Sequence, residues 1–273
     1  MERPSFGKEY IINELDKISS KIIIPINLFV IGGLVLIQFG LKEATKDIDV
    51  VVQNKRELDA LTEVLGSLGY RSPSLVEISR AYEAMEASEI LENGDKFRWD
   101  IFYGRVCGAL SFSPEMISRA NIFYRKKSLS VALASKEDIF LFKGITEREA
   151  DLDDMRLLAE SGLEWKVIEQ ECRNQSISSG RLWENALFQN LMDLREKHKI
   201  RSPIERSLRR IVEEKLTEDA IIQALKAGNN TIATISKTTE LPPYRIRVSV
   251  KKSEKKGLLR INRSKRPFNI SLT

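Results

Sequence analysis

The 273-residue chain has two cysteines and one histidine. Cys107 and Cys172 lie far apart with no CxxC spacing. That pattern excludes a disulfide framework and a thiolate zinc site, and it suits a reducing compartment. The lone His198 excludes multi-histidine metal centres and leaves a Ser-His-Asp mechanism a single candidate. Its surroundings, Arg195-Glu196-Lys197-His198-Lys199, read as a solvated charged stretch, so it is assigned no role. Any chemistry this chain performs falls to carboxylates.

Long apolar runs are also missing. The longest, from Ile22 to Ile37, is interrupted by Pro25, Asn27, Gly32 and Gly33. It falls short of the ~20 residues that cross a bilayer. Acidic Glu9, Glu14 and Asp16 precede it, which is unlike the basic start of a signal peptide. The expectation is a cytoplasmic protein.

What is present is enough chain for two ordinary domains, with 42% hydrophobic and 30% charged residues. The net charge of +5 is unevenly spread. Residues 217–273 hold 12 Lys/Arg against 4 Asp/Glu, which leaves 32 against 35 for the rest. A basic C-terminal part is thus set against a nearly neutral remainder, and only the former is composed for a polyanion.

Periodicity predicts an α+β chain: a mixed α/β unit over residues 1–135, a helical region over 136–215 and a small basic unit over 216–273. Helices are predicted over Lys8–Ser20 and Arg56–Leu68, with strands at Asn27–Ile31 and Lys46–Val52. Asn93-Gly94-Asp95 reads as the turn of a hairpin, because Asn-Gly tolerates positive φ. Ile122–Ala134 reads as a strand pair, and Ser135 opens a helix toward Lys143. In the basic unit Thr217 is predicted to cap a first helix, Thr231 a second, and Pro242-Pro243 to open a third. A hairpin around Arg263-Ser264-Lys265-Arg266 follows.

The informative segment is Gly32-Gly33, thirteen residues, then Asp47-Ile48-Asp49. Residues two apart on a strand share a face, so Asp47 and Asp49 project together while Ile48 and Val50 enter the core. Adjacent carboxylates repel unless a cation lies between them, and Mg²⁺ prefers such oxygens together with nucleotide phosphates. A third acid, Asp100, sits in the aromatic run Phe97-Arg98-Trp99-Asp100-Ile101-Phe102, where burial is costly without a partner or a metal. Glycines without Cβ atoms let a phosphate approach their N–H groups, helped by the dipole of the following helix. Taken alone, Asp-Ile-Asp reads as an ordinary strand end; with the glycines upstream and Asp100 downstream it reads as a site for phosphoryl or nucleotidyl transfer. For Lys143 and Asp154, helix-surface salt bridging is nearly as good a reading as function, and Arg148 with Asp151 reads as a structural pair.

In their order and spacing, Gly32-Gly33, Asp47-Ile48-Asp49 and Asp100 resemble the polymerase-β-like nucleotidyltransferase superfamily. Thr45-Lys46-Asp47-Ile48-Asp49, followed by Lys143, Arg148, Asp151 and Asp154, is most similar to its toxin-type, AbiEii-like branch. The resemblance covers roughly residues 8–215. It implies that Asp47, Asp49 and Asp100 bind Mg²⁺ or Mn²⁺, that the Gly32-Gly33 turn binds a nucleoside triphosphate and that Lys143 contacts phosphate. It assigns acceptor activation to Asp154. Residues 216–273 resemble a winged helix-turn-helix domain. That resemblance implies nucleic-acid contacts from Arg245, Arg247, Lys251, Lys252 and Lys255 on the third helix, and from Arg263, Lys265 and Arg266 at the wing.

Two functions follow as expectations. The first is a Mg²⁺-dependent nucleotidyltransferase that moves a nucleoside monophosphate from NTP to a macromolecular acceptor. The second is a DNA-binding regulator whose nucleotidyltransferase-like part is a non-catalytic sensor or dimerisation scaffold, in a toxin–antitoxin setting. Whether the partner is DNA or RNA, and whether the chain is a homodimer, stay open.

Overall fold

The computed structural model describes residues 3–73, 86–106, 108–146, 149–264 and 266–273, the side chains of 149 and 150 excepted. Cys107, Arg148 and Lys265, all named above, lie outside the described residues. The fold is α+β, built on a six-stranded mixed sheet.

The chain begins with α1 (Lys8–Lys21), which buries Ile11, Leu15 and Ile18. β1 (Ile26–Ile31) is buried at five of its six positions and ends at Gly32, whose φ of 77° and ψ of −142° suit glycine. A short α2 (Gly33–Gln38) then leads to β2 (Asp47–Val52). α3 (Lys55–Ser67) is capped by Asn54, which accepts from the Glu57 amide. The Glu57 carboxylate in turn accepts from the backbone amides of Asn27 and Gln53 and ties α3 to β1 and the end of β2.

β3 (Glu89–Glu92) and β4 (Arg98–Tyr103) form the antiparallel hairpin predicted around Asn93. Asn93 Oδ1 accepts from the amides of Asp95 and Phe97 and closes that turn. β5 (Arg105–Val106) and β6 (Leu110–Ser111) pair in a small ribbon, and α4 (Pro114–Arg119) follows. β7 (Asn121–Lys126) and β8 (Leu129–Leu133) supply the predicted strand pair. The sheet order is β3-β4-β2-β1-β8-β7. β1 runs antiparallel to β2 and parallel to β8, and β2 runs parallel to β4.

Four helices follow: α5 (Lys136–Ile145), α6 (Glu149–Glu160), α7 (Trp165–Ser179) and α8 (Trp183–His198). They pack on one another, and α5 also packs on α2. Ser135 caps α5, as predicted, by accepting from the Asp138 amide. A buried knot joins this layer to α4: Arg119 bridges Asp138 at 2.6 Å and Glu171 at 2.7 Å. Such a charge cluster is tolerable inside only because each carboxylate has its partner.

The chain divides into two compact units, Met1–Pro203 and Ile204–Thr273. In the second, α9 (Glu205–Lys226) is one helix of 22 residues. The predicted helix start at Thr217 is therefore corrected. Its hydroxyl donates to the Glu213 carbonyl at 2.6 Å, the i−4 bond that a threonine makes inside a helix instead of capping a new one. α10 (Ile232–Thr239) does start at a Thr231 capping box, and α11 (Pro243–Lys255) opens at the predicted prolines. β9 (Leu259–Asn262) and β10 (Asn269–Leu272) pair antiparallel. Ile221, Ala224, Ile235, Ile246, Val250, Leu259 and Ile270 form this unit's core. Among the described residues no helix is long and apolar enough to cross a membrane.

Candidate functional site

Parallel pairing of β2 with β4 sets Asp49 level with Asp100, and Asp47 level with Arg98. Strand alternation puts Asp47, Asp49 and Asp100 on one face, while Ile48 and Val50 on the other are fully buried. Antiparallel pairing sets Ile31 opposite Asp49, which brings the Gly32 turn onto that carboxylate. A cavity of about 220 Å³ results. It is lined by Gly32, Gly33, Asp47, Asp49 and Asp100, and from the helical layer by Lys143, Asp151 and Asp154. Phe102, Val106, Leu110, Ile139 and Phe142 make its apolar wall.

Both glycines are required by this geometry. A Cβ on Gly32 would collide with the Asp49 carboxylate, and one on Gly33 with the Thr45 hydroxyl. Asp100 is only 1% exposed. Among the described residues, no group of three or more His, Cys, Asp or Glu side chains is gathered as a ready metal site. One carboxylate of the expected trio is engaged elsewhere: Asp47 Oδ2 accepts from Arg3 Nη2 at 2.9 Å. In kind, the donor set fits a hard divalent cation, being carboxylates only, on adjacent strands beside a glycine cradle that any side chain would fill.

Lys143 stands at the centre of a second cluster. Its Nζ lies 2.8 Å from Asp151 Oδ1 and 2.7 Å from Asp154 Oδ2. Lys42 reaches Asp154 Oδ1 at 2.5 Å, and the Thr146 hydroxyl donates to Asp151 Oδ2. Burial disfavours the Lys143 charge, but the two carboxylates outweigh it and hold the ammonium above the usual lysine range. Asp151, expected to pair with Arg148, is a partner of Lys143; Arg148 itself lies outside the described residues.

Arg3, Lys42 and Thr146 have no part in the sequence reading. Arg3 lies 44 positions from Asp47 and carries no local signal. Lys42 falls in the spacer between the glycines and the acids, where any surface lysine would look the same. His198, expected in solvent, is half-buried with Nε2 3.4 Å from Asp153.

In the second unit the predicted basic residues divide into two rows on α11. Arg245 reaches the Glu213 carboxylate at 3.4 Å and Lys252 reaches Glu214 at 2.8 Å. Lys256, just beyond α11, pairs with Glu218 at 2.9 Å. These cations are turned toward α9. Arg247, Lys251 and Lys255 are exposed with Tyr244 and Val248, at helical spacing along a different face. At the hairpin Arg263 pairs with Glu254 at 2.7 Å, and the Arg266 guanidinium lies 5.7 Å from the centre of the Phe268 ring.

No protein-family model and no curated protein matches the chain. Among solved structures it is similar to the lincosamide antibiotic adenylyltransferase LnuA, determined with lincomycin bound. The likeness covers 58% of this chain and 100% of that one, at 15% identity and a TM-score of 0.39. Similarity this slight does not assign an activity.

Proposed function

We propose that the chain is a nucleotidyltransferase of the polymerase-β-like type, transferring a nucleoside monophosphate from NTP to a hydroxyl of a macromolecular acceptor. The observation that carries this reading is the single cavity that holds Gly32-Gly33, the three aspartates, Lys143 and Asp154 together.

In this reading Asp49, Asp100 and Asp47 would hold Mg²⁺ or Mn²⁺, which when bound would supply charge that neutralises the phosphates. The Gly32 turn leaves backbone N–H groups open to a phosphate because no Cβ covers them. Lys143, kept charged by its two carboxylates, faces the same space and supplies a fixed positive group beside the triphosphate. Phe102, Leu110 and Phe142 exclude water from one wall. Asp154 accepts the proton of the acceptor hydroxyl, whose oxygen then bonds to the α-phosphorus as pyrophosphate departs. The gathering of Lys143, Asp151 and Asp154 supports the AbiEii-like branch.

We read the second unit as a winged helix that binds nucleic acid through α11, with Arg247, Lys251 and Lys255 on phosphates and Tyr244 and Val248 against the groove. The exposed basic row on α11 also favours the second reading, a DNA-binding regulator with a silent core. One experiment separates them. Full-length protein is incubated with α-labelled NTPs, Mg²⁺ or Mn²⁺ and RNA or protein acceptors, in parallel with salt-dependent duplex binding. Label transfer abolished by Asp49→Asn supports the enzyme. Duplex binding that survives Asp49→Asn, with no transfer and no NTP binding, supports the regulator.

A further inference from the structure

We propose that Arg3 is an internal competitor for the divalent cation. Its guanidinium holds Asp47 Oδ2, so a metal ion that Asp47 shares with Asp49 and Asp100 binds against its positive charge. The inference rests on the metal-dependent reading above and adds to it a residue that controls how readily the site is charged.

Arg3 is delivered to Asp47 by a clamp. Phe6 and Thr45 exchange backbone hydrogen bonds, Phe6 N–H to the Thr45 carbonyl at 2.7 Å and Thr45 N–H to the Phe6 carbonyl at 3.0 Å. The Phe6 ring is fixed between Tyr10 and Phe97, with centroids 4.4 Å and 5.0 Å away. Three residues before this clamp, Arg3 Nη2 meets Asp47 Oδ2 at 2.9 Å, and Nη1 reaches the Lys46 carbonyl at 3.4 Å. Clamp and target sit on the same short stretch, Thr45-Lys46-Asp47, so Arg3 is held at high local concentration over one carboxylate of the trio.

Two cations cannot share one carboxylate without mutual repulsion. The guanidinium therefore substitutes for the metal while the site is empty of it, quenching the repulsion Asp47 would otherwise feel from Asp49. It also raises the metal concentration needed to fill the site. Both side chains are about one-fifth exposed, so the competition is modest. An ion pair of that kind is worth ~0.2–1 kcal/mol, or about a 1.5- to fivefold change in affinity.

The test is Mn²⁺ binding to the full-length chain, followed by the electron paramagnetic resonance signal of free Mn²⁺ and without reference to activity. Arg3→Ala is expected to bind Mn²⁺ about two- to fivefold more tightly than wild type, and Arg3→Lys to stay within about twofold of it. Asp49→Asn should weaken binding in either background. Binding seen only in Arg3→Ala also supports the competition. Equal or weaker affinity in Arg3→Ala, while wild type binds Mn²⁺ normally, overturns this inference alone. Failure of both wild type and Arg3→Ala to bind Mn²⁺ overturns the metal site and the competition together. Far-UV circular dichroism establishes that each variant is folded.

Discussion

Gly32 and Asp49 meet across the antiparallel strands β1 and β2 so closely that the carboxylate fills the space a side chain at position 32 would need. The backbone there, at φ 77°, is also one that a non-glycine residue adopts only under strain. Two independent constraints thus fix one residue type, and both act on the floor of the cavity.

Gly32→Ala should accordingly cost about 1–3 kcal/mol from the backbone alone and push the Asp49 carboxylate aside. The expected result is a lower denaturation midpoint together with loss of NTP binding by isothermal calorimetry. Gly40→Ala, at a φ of 70° with no atom within 4 Å of the added Cβ, should show the backbone cost without the loss of binding.

Asp100 is buried level with Asp49 across β2 and β4, where a divalent cation would relieve the repulsion of two carboxylates. Mn²⁺ should raise the melting temperature of wild type and leave that of Asp100→Asn unchanged. Nucleotidyl transfer should fall at least about 100-fold.

Lys143 holds two nearly buried carboxylates. Lys143→Met would remove the ammonium that Asp151 and Asp154 share. Destabilisation of about 3 kcal/mol is expected in urea melts. Lys143→Arg keeps the charge, and most of that loss should be recovered.

On α11 the two rows of cations predict different phenotypes. Arg247→Ala, Lys251→Ala and Lys255→Ala should each weaken nucleic-acid binding and reduce the salt slope by about one. Lys256→Ala should leave binding nearly intact and destabilise the second unit, since it removes one of the partners of Glu218. Fluorescence anisotropy at several salt concentrations, alongside thermal melts, separates the two.

Glu218 supplies a pH dependence. Burial works against its charge, but hydrogen bonds from Lys256 and Ser253 prevail and hold the carboxyl below its ordinary value of 4.5. A depressed folded-state value means that the unfolded chain takes up the proton first. Its contribution is therefore complete above about pH 5 and is lost as the pH falls from 4.5 through the folded value. Glu218→Gln should lower stability by about 1 kcal/mol at pH 7 and flatten the acid limb of the melting curve below about pH 5.

The strands and most helices are legible in the sequence because each carries a local signal. Asn93-Gly94 dictates a turn, Ser135 and Thr231 supply caps, and valines and isoleucines alternate with Asp47 and Asp49 at a period of two. Thr217 misleads because a threonine followed by acids looks the same at a helix start as on the turn of a continuing helix. Only the carbonyl four residues earlier distinguishes the two.

The spacing of glycines and acids along the chain determined by itself which residue types could form a phosphate and metal site. It likewise concentrated basic residues in the last fifth of the chain. The tertiary structure decided which of those groups meet. Strand register set Asp49 beside Asp100, α5 and α6 delivered Lys143 with Asp151 and Asp154, and an aromatic clamp brought Arg3 to Asp47. It also divided the cations of α11 between the glutamates of α9 and solvent. The reason is physical: side-chain chemistry and strand or helix period are local properties of the sequence, whereas register and partner choice are settled by packing between segments tens of residues apart.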